Sequence, residues 1–415
     1  MTAEPDSSYY RLSHPDKRVI GRISIPGSKS ESNRILLLKH LYFPELQISG
    51  LSDSRDTQSM MRCLNDRGNF IHAGEAGTVM RFLTAFFAIR ENREHVMMGS
   101  SRMHERPIGN LVEALQSLGA EIKYLEKEGY PPLKIFGKKL RGGEVALDAG
   151  ISSQFISALM MIGPALEEGL RIRLKGLSIS APYIYMTANL MRRLGFDVKV
   201  NGEEVRIPPG VPASPQHFQV EPDWSAASYW FLIALLAQKS EIYLPGFAQY
   251  SLQGDANVSG YFDPLGVSAH YIGSGFRLRK SEARRQNARI NLIHNPDLAQ
   301  TMSVAYAAMG ISAEIFGLQS LRIKETDRLG ALEKELARTG ARIETGEDYL
   351  RIHQGITNLE GVVFDTHNDH RMAMALAPLA LLAPVGIRAP SVVEKSYQSF
   401  WKDLQQVGFT IITEE

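Results

Sequence analysis

The chain has 415 residues, which at roughly 150 residues per domain is enough for two or three domains with full-sized cores. Apolar residues at 44% and charged ones at 22% exclude a disordered or collagen-like chain. With 46 Lys and Arg against 45 Asp and Glu, the +1 balance gives no general attraction to nucleic acid or anionic membrane. A single cysteine, Cys63, excludes a disulfide framework or thiolate zinc cluster and suits a reducing compartment.

Residues 1–17 are polar, carry Pro5 and Pro15, and lack the apolar core of a signal peptide, so a cytoplasmic protein is expected. From there on one pattern recurs: an amphipathic helical run closing on a glycine, followed at once by a β-prone stretch. It ends at Gly68, Gly119, Gly195, Gly266, Gly340 and Gly408. Glycine fits there because the residue after a helix C-terminus tends to be left-handed, which costs glycine nothing. After a shorter first interval the spacing is about 70 residues, which predicts a repeated α/β unit. The run Pro208, Pro209, Gly210, Pro212 and Pro215 separates three units from three. Residues 372–387 are apolar but too short for the ~20 residues of a membrane span, and Pro378 and Pro384 interrupt them.

The starts of the helical runs carry cap residues: Ser28-Lys29-Ser30, Gly77-Thr78, Ser152-Ser153, Asp223, Asp297, Thr326-Asp327 and Asn368-Asp369. Lys29, Arg34, Arg81, Lys324, Arg328 and Arg371 fall within a turn of such starts, where the helix dipole disfavours cations. That placement predicts anionic ligands, since helix N-termini and guanidinium forks together form phosphate or carboxylate pockets. The competing reading is that each cation pairs with a neighbouring acid. Gly27 to Ser30 is not a nucleotide phosphate loop, because Ser28 separates the glycine from Lys29. His367 and His370 lack a carboxylate at metal-ligand spacing, so neither metal nor cofactor is expected, and Cys63 reads as a buried small hydrophobe.

The blocks PGSKSESNR from Pro26, AGTVMRFL from Ala76, SRMHERPIG from Ser101, SSQFISALM from Ser152, PYI from Pro182, RIKETDR from Arg322 and NDHRMAMA from Asn368 stand in an order that resembles the EPSP synthase family of enolpyruvyl transferases. The resemblance runs from about residue 20 past Lys395. It implies an α/β fold of six βαβαββ-type units, three per domain, with the active site in the interdomain cleft. The domains would be residues 28–221 and residues 1–27 plus 222–415. The implied reaction transfers the enolpyruvyl group of phosphoenolpyruvate to the 5-hydroxyl of shikimate 3-phosphate, releasing phosphate, on the route to chorismate and the aromatic amino acids.

The same resemblance assigns residues. Asp297, Glu325 and Lys29 would be catalytic, Asp297 accepting the hydroxyl proton while Glu325 and Lys29 serve the methylene. Shikimate 3-phosphate would meet Lys29, Ser30, Arg34, Ser152, Ser153, Gln154, Ser180, Asp297 and Lys324. Phosphoenolpyruvate would meet Lys29, Gly77, Arg106, Gln154, Arg328, Arg371 and Lys395. Cations drawn from both halves imply domain closure, and no partner beyond the two substrates is expected of a monomer. Three positions depart from the family pattern: Glu75 and Ser320 stand where Asn is common, and Ala181 where Lys is. The 68–77 segment also lacks a customary β-hairpin. Two other readings stay open at this point, enolpyruvyl transfer to a UDP-sugar and a catalytically inactive binding protein of the same fold.

Overall fold

The computed structural model describes residues 8–148, 152–176, 181–213, 215–284 and 287–414. It divides into two compact units, Gly27–Val220 and Met1–Pro26 with Glu221–Glu415. Among the described residues no helix is long and apolar enough to cross a membrane.

All six glycine stops lie between a helix and a strand, and five share one local geometry. Gly119, Gly195, Gly266, Gly340 and Gly408 have φ between 75° and 102°, the left-handed region in which a Cβ is strained. Each is followed by a strand that forms an antiparallel pair, as Arg342–Thr345 does with Tyr349–Gln354 after Gly340. Gly68 departs from the expectation, since its φ is not positive. The preceding helix, Arg55–Asn65, ends on Asp66 in an extended conformation, and the chain runs directly into Phe70–His72. That strand lies parallel to Glu94–Met98 as the first strand of the next sheet. With no hairpin to enter, the chain needs no left-handed reversal there.

The repeat is explicit in the sheets. In one of them Ala288–Asn291 and Ala313–Phe316 run parallel, joined by the helix Ala299–Met309. The helix Arg328–Ala337 then leads into a hairpin whose second strand, Tyr349–Gln354, lies antiparallel beside Ala313–Phe316. Three four-stranded sheets have this βαβαββ connectivity without interruption, and two more share the strand pattern but draw one strand from the N-terminal segment, Arg18–Arg22 in one and Tyr9–Ser13 in the other. The sixth sheet has two strands, His217–Gln219 parallel to Gln47–Ser49, which accounts for the short first interval. The N-terminal strand Tyr9–Ser13 supplies the missing strand of the last repeat by pairing with Val385–Arg388 and Thr410–Glu414.

Within each unit the first helices of the three repeats pack together. In Gly27–Val220 these are Lys29–Tyr42, Gly77–Ala88 and Ser153–Ile162. In the other unit they are Trp224–Leu236, Ala299–Met309 and His370–Leu376. Trp224–Leu236 is apolar all round, and every residue but Ser225 is buried, as expected of a helix enclosed by its neighbours. Of the predicted polar residues, Ser28, Lys29, Thr78, Ser152, Asp223 and Asp369 stand at the N-terminal ends of these helices, whereas Asp327 and Arg328 stand at the start of the second helix Arg328–Ala337.

Candidate active site

In Gly27–Val220, Ser28 caps Lys29–Tyr42 by accepting the Glu31 N–H at 3.4 Å, and Ser152 caps Ser153–Ile162 by accepting the Gln154 N–H at 3.3 Å. Lys29 is the first residue of its helix, and its Nζ is 3.2 Å from the carboxylate of Asp56. Gln154 donates to the Thr78 hydroxyl at 3.1 Å, which brings the starts of two repeat helices together. Ser153 is buried. Ser180 lies outside the described residues, and Ala181 begins the helix Ala181–Arg193 that follows it.

Arg34 is 2% exposed. Its guanidinium donates to the Thr187 hydroxyl at 2.7 Å, the Ser30 carbonyl at 2.8 Å and the Ser157 hydroxyl at 3.1 Å, and it lies over the rings of Phe82 and Tyr183. Every one of these partners is neutral. Burial pulls the group down to about 10 against the opposing charge of Glu31, so an enclosed cation sits here with no carboxylate hydrogen-bonded to it among the described residues. An anionic ligand would relieve that arrangement.

Gly77 has a role other than the one its position beside Thr78 suggests. Thr78 is not a cap: the helix Gly77–Ala88 is preceded by Ala76, which makes no side-chain cap bond, and Gly77 is its first residue. Nor is Gly77 left-handed. The requirement is space, because a Cβ there would lie 2.9 Å from both terminal nitrogens of Arg106 and closer still to the Arg81 guanidinium. Two guanidiniums thus crowd over a helix N-terminus, where its dipole adds to their positive potential. Glu75, two residues earlier, is exposed.

In the other unit Arg328 is the hub. It is 2% exposed and donates to Asp369 at 2.6 Å, Glu325 at 2.9 Å and Asp297 at 3.1 Å. Burial alone would lower its pKa, but the three carboxylates outweigh that and hold it above the ordinary arginine value. Arg371 approaches Asp297 at 3.1 Å, and Lys395 lies 3.7 Å from Glu325. Asp327 and Asp369 are the predicted caps, accepting the N–H groups of Gly330 at 3.2 Å and Arg371 at 2.8 Å. Asp297 is not a cap as expected. It lies within the short 3-10 turn Pro296–Leu298, so its carboxylate is directed to the arginines. Lys324 ends another such turn, Gln319–Ile323, where Ser320 also lies.

The structure therefore brings Asp297, Glu325, Arg328, Arg371 and Lys395 into one ion-pair network, and in this unit the cations do have acidic partners. The acids are themselves the residues suited to proton transfer.

The family model for EPSP synthase (3-phosphoshikimate 1-carboxyvinyltransferase) matches residues 13–72 and 65–404. The chain belongs to the EPSP synthase family. It is an enzyme of the transferase class. The 3-phosphoshikimate 1-carboxyvinyltransferase of Bacteroides fragilis strain YCH46 is 41% identical over 408 residues, covering 97% of this chain and 98% of its own. That of Vibrio atlanticus is 36% identical, covering 95% and 98%. Among solved structures, EPSP synthase from Acinetobacter baumannii has the same fold, with a TM-score of 0.79 at 20% identity over 99% of this chain and 100% of that one.

Several residues of this EPSP synthase family member's site are not evident from its sequence. Thr187 and Ser157 hold Arg34 from helices more than a hundred residues away, and Asp56 meets Lys29 from the next helix. Asp369 was expected as a cap alone but also grips Arg328. Asp255 is a further case: it is buried, accepts from Ser225 and, at 3.3 Å, from Asn295, and is raised by burial and by the charge of Asp297. Its only sequence signal is a lone Asp in a polar loop.

Proposed function

We propose that the chain transfers the enolpyruvyl group of phosphoenolpyruvate to the 5-hydroxyl of shikimate 3-phosphate and releases phosphate, acting in the cytoplasm as a monomer. The observation that carries this reading is the occupation of Arg328, Arg371 and Lys395 by Asp297 and Glu325. The carboxylates stand where substrate anions would bind. As phosphoenolpyruvate takes over the cations, Asp297 and Glu325 are released for proton transfer.

The chemistry needs both acids. The hydroxyl oxygen adds to C2 of phosphoenolpyruvate while its proton passes to Asp297, and a proton from Glu325 or Lys29 goes to the methylene carbon. The tetrahedral intermediate then loses phosphate by C–O cleavage and returns the methyl proton, leaving the enol ether. Two polyanions repel strongly where water is excluded, so the cations must be pre-placed. Arg371, Arg328, Lys395, Arg106 and Gly77 serve phosphoenolpyruvate. Arg34, Ser30, Ser152, Ser153, Ser180 and Lys324 serve shikimate 3-phosphate, with Lys29 and Gln154 meeting both. These groups belong to two domains, residues 28–221 and residues 1–27 with 222–415, which the reading requires to act on one substrate pair.

The test is phosphate release from phosphoenolpyruvate. Release that depends on shikimate 3-phosphate, and not on a UDP-sugar acceptor, is the expected result. Release with the UDP-sugar alone, or none with either, overturns the reading.

A further inference from the structure

The helix Arg328–Ala337 touches the segment before Arg371 at two places. Arg328 and Glu335 are seven residues apart, so they share a helix face about 10 Å apart along its axis. Arg328 grips Asp369 at 2.6 Å, and Asp369 caps the helix His370–Leu376 through the Arg371 N–H. Two turns on, Glu335 is fully buried, and its carboxylate accepts the Asp365 N–H at 3.0 Å and meets His367 Nε2 at 2.9 Å. Arg338 adds a contact at 3.2 Å.

Between these anchors the backbone is unusual. His367 and Asn368 have φ of 49° and 55°, two successive non-glycine residues in the left-handed region, in a turn closed by the Asp369 N–H on the Thr366 carbonyl at 2.8 Å. Asn and His enter that region more readily than other residues with a Cβ, but two in succession still call for support from surrounding contacts. The His367 N–H is fixed by Asp365 at 2.7 Å, and its ring by Glu335. Neither residue belongs to the set assigned to substrate contact or proton transfer.

We propose that Glu335, through His367, is a positioning residue for Arg371: it holds the left-handed turn that sets where the arginine begins its helix. The proposal rests on the reading of Arg371 as a phosphoenolpyruvate contact. Releasing the turn loosens one substrate site and leaves the other intact, so the Michaelis constants separate.

The experiment measures both Michaelis constants, kcat and Tm for the full-length protein. Glu335→Ala is expected to raise KM for phosphoenolpyruvate about tenfold while that for shikimate 3-phosphate stays within about twofold. Glu335→Gln, which can still accept the Asp365 N–H and meet His367, recovers most of the loss. If Glu335→Ala does not fold, His367→Asn carries the test: asparagine tolerates positive φ but is too short to reach Glu335, and a selective rise in the same constant is expected. A lowered Tm with both constants unchanged, or raised equally, overturns the proposal. Arg371→Lys separates the two levels, because an unaltered phosphoenolpyruvate KM in that variant overturns the assignment of Arg371 and the positioning role with it.

Discussion

Asp297 holds Arg371 twice, by its carboxylate at 3.1 Å and by its backbone carbonyl at 3.3 Å. The candidate base is thus tied to a candidate anion site, and the same carboxylate also accepts from Arg328 at 3.1 Å. Occupying the arginines with a substrate anion frees the base, which couples binding to proton abstraction.

Asp297→Asn tests that coupling. The amide keeps an oxygen for Arg328 and nearly the same shape but cannot take a proton, so kcat is expected to fall by roughly 10²-fold or more. Shikimate 3-phosphate should still bind, because Arg34 and Lys29 are untouched. Steady-state turnover with calorimetric titration of shikimate 3-phosphate checks both halves, and near-parental turnover excludes Asp297 as the base.

Gly77→Ala separates space from strain. Gly77 has no positive φ, so alanine adds no backbone penalty, and the three atoms nearest its Cβ would be the far ends of Arg81 and Arg106. Those ends can move, so Tm should change little, but a displaced guanidinium no longer meets its anion. The expected loss is about ten- to hundredfold in phosphoenolpyruvate affinity, with shikimate 3-phosphate little affected. A lower Tm with both Michaelis constants unchanged excludes the contact role.

Much of this architecture is legible because it is local. A glycine that closes a helix must accommodate left-handed backbone, and five of six such positions do so. The exception, Gly68, depends on whether a hairpin follows, which is a matter of sheet pairing. The caps Ser28, Ser152, Asp223, Asp327 and Asp369 are legible for the same reason, since cap and partner lie two or three residues apart. Partners across repeats are not: Thr187 for Arg34 and Asp297 for Arg371 depend on how the helices pack. Family blocks supply residue identities at those places, yet the Glu335–His367 contact lies between two blocks and carries no signal of its own.

Ligand-driven closure is the next prediction. Lys29, Arg34 and Arg106 belong to Gly27–Val220, whereas Lys324, Arg328, Arg371 and Lys395 belong to the other unit. If all serve one substrate pair, saturation with shikimate 3-phosphate and an unreactive phosphoenolpyruvate analogue should lower the radius of gyration in small-angle scattering. An unchanged radius at saturation counts against closure.

Asp255 gives a prediction for stability against pH. Burial and the neighbouring charge of Asp297 raise its pKa, while Ser225, Asn295 and Arg371 partly offset them. A carboxyl whose folded pKa exceeds its unfolded value, about 3.9, binds more protons folded than unfolded. Its contribution to stability therefore falls as pH rises from about 4 through the folded value, and at neutral pH the ionised group is a net cost. Asp255→Asn keeps the side-chain shape and an oxygen for Asn295 while removing that charge. The variant should melt a few degrees above the parent at pH 8, on the scale of about 2–4 °C per kcal/mol for a unit of this size. The advantage should shrink steadily towards pH 5. Melting curves of both proteins across that range decide it: an offset independent of pH means that the Asp255 carboxyl titrates alike in the folded and unfolded chain.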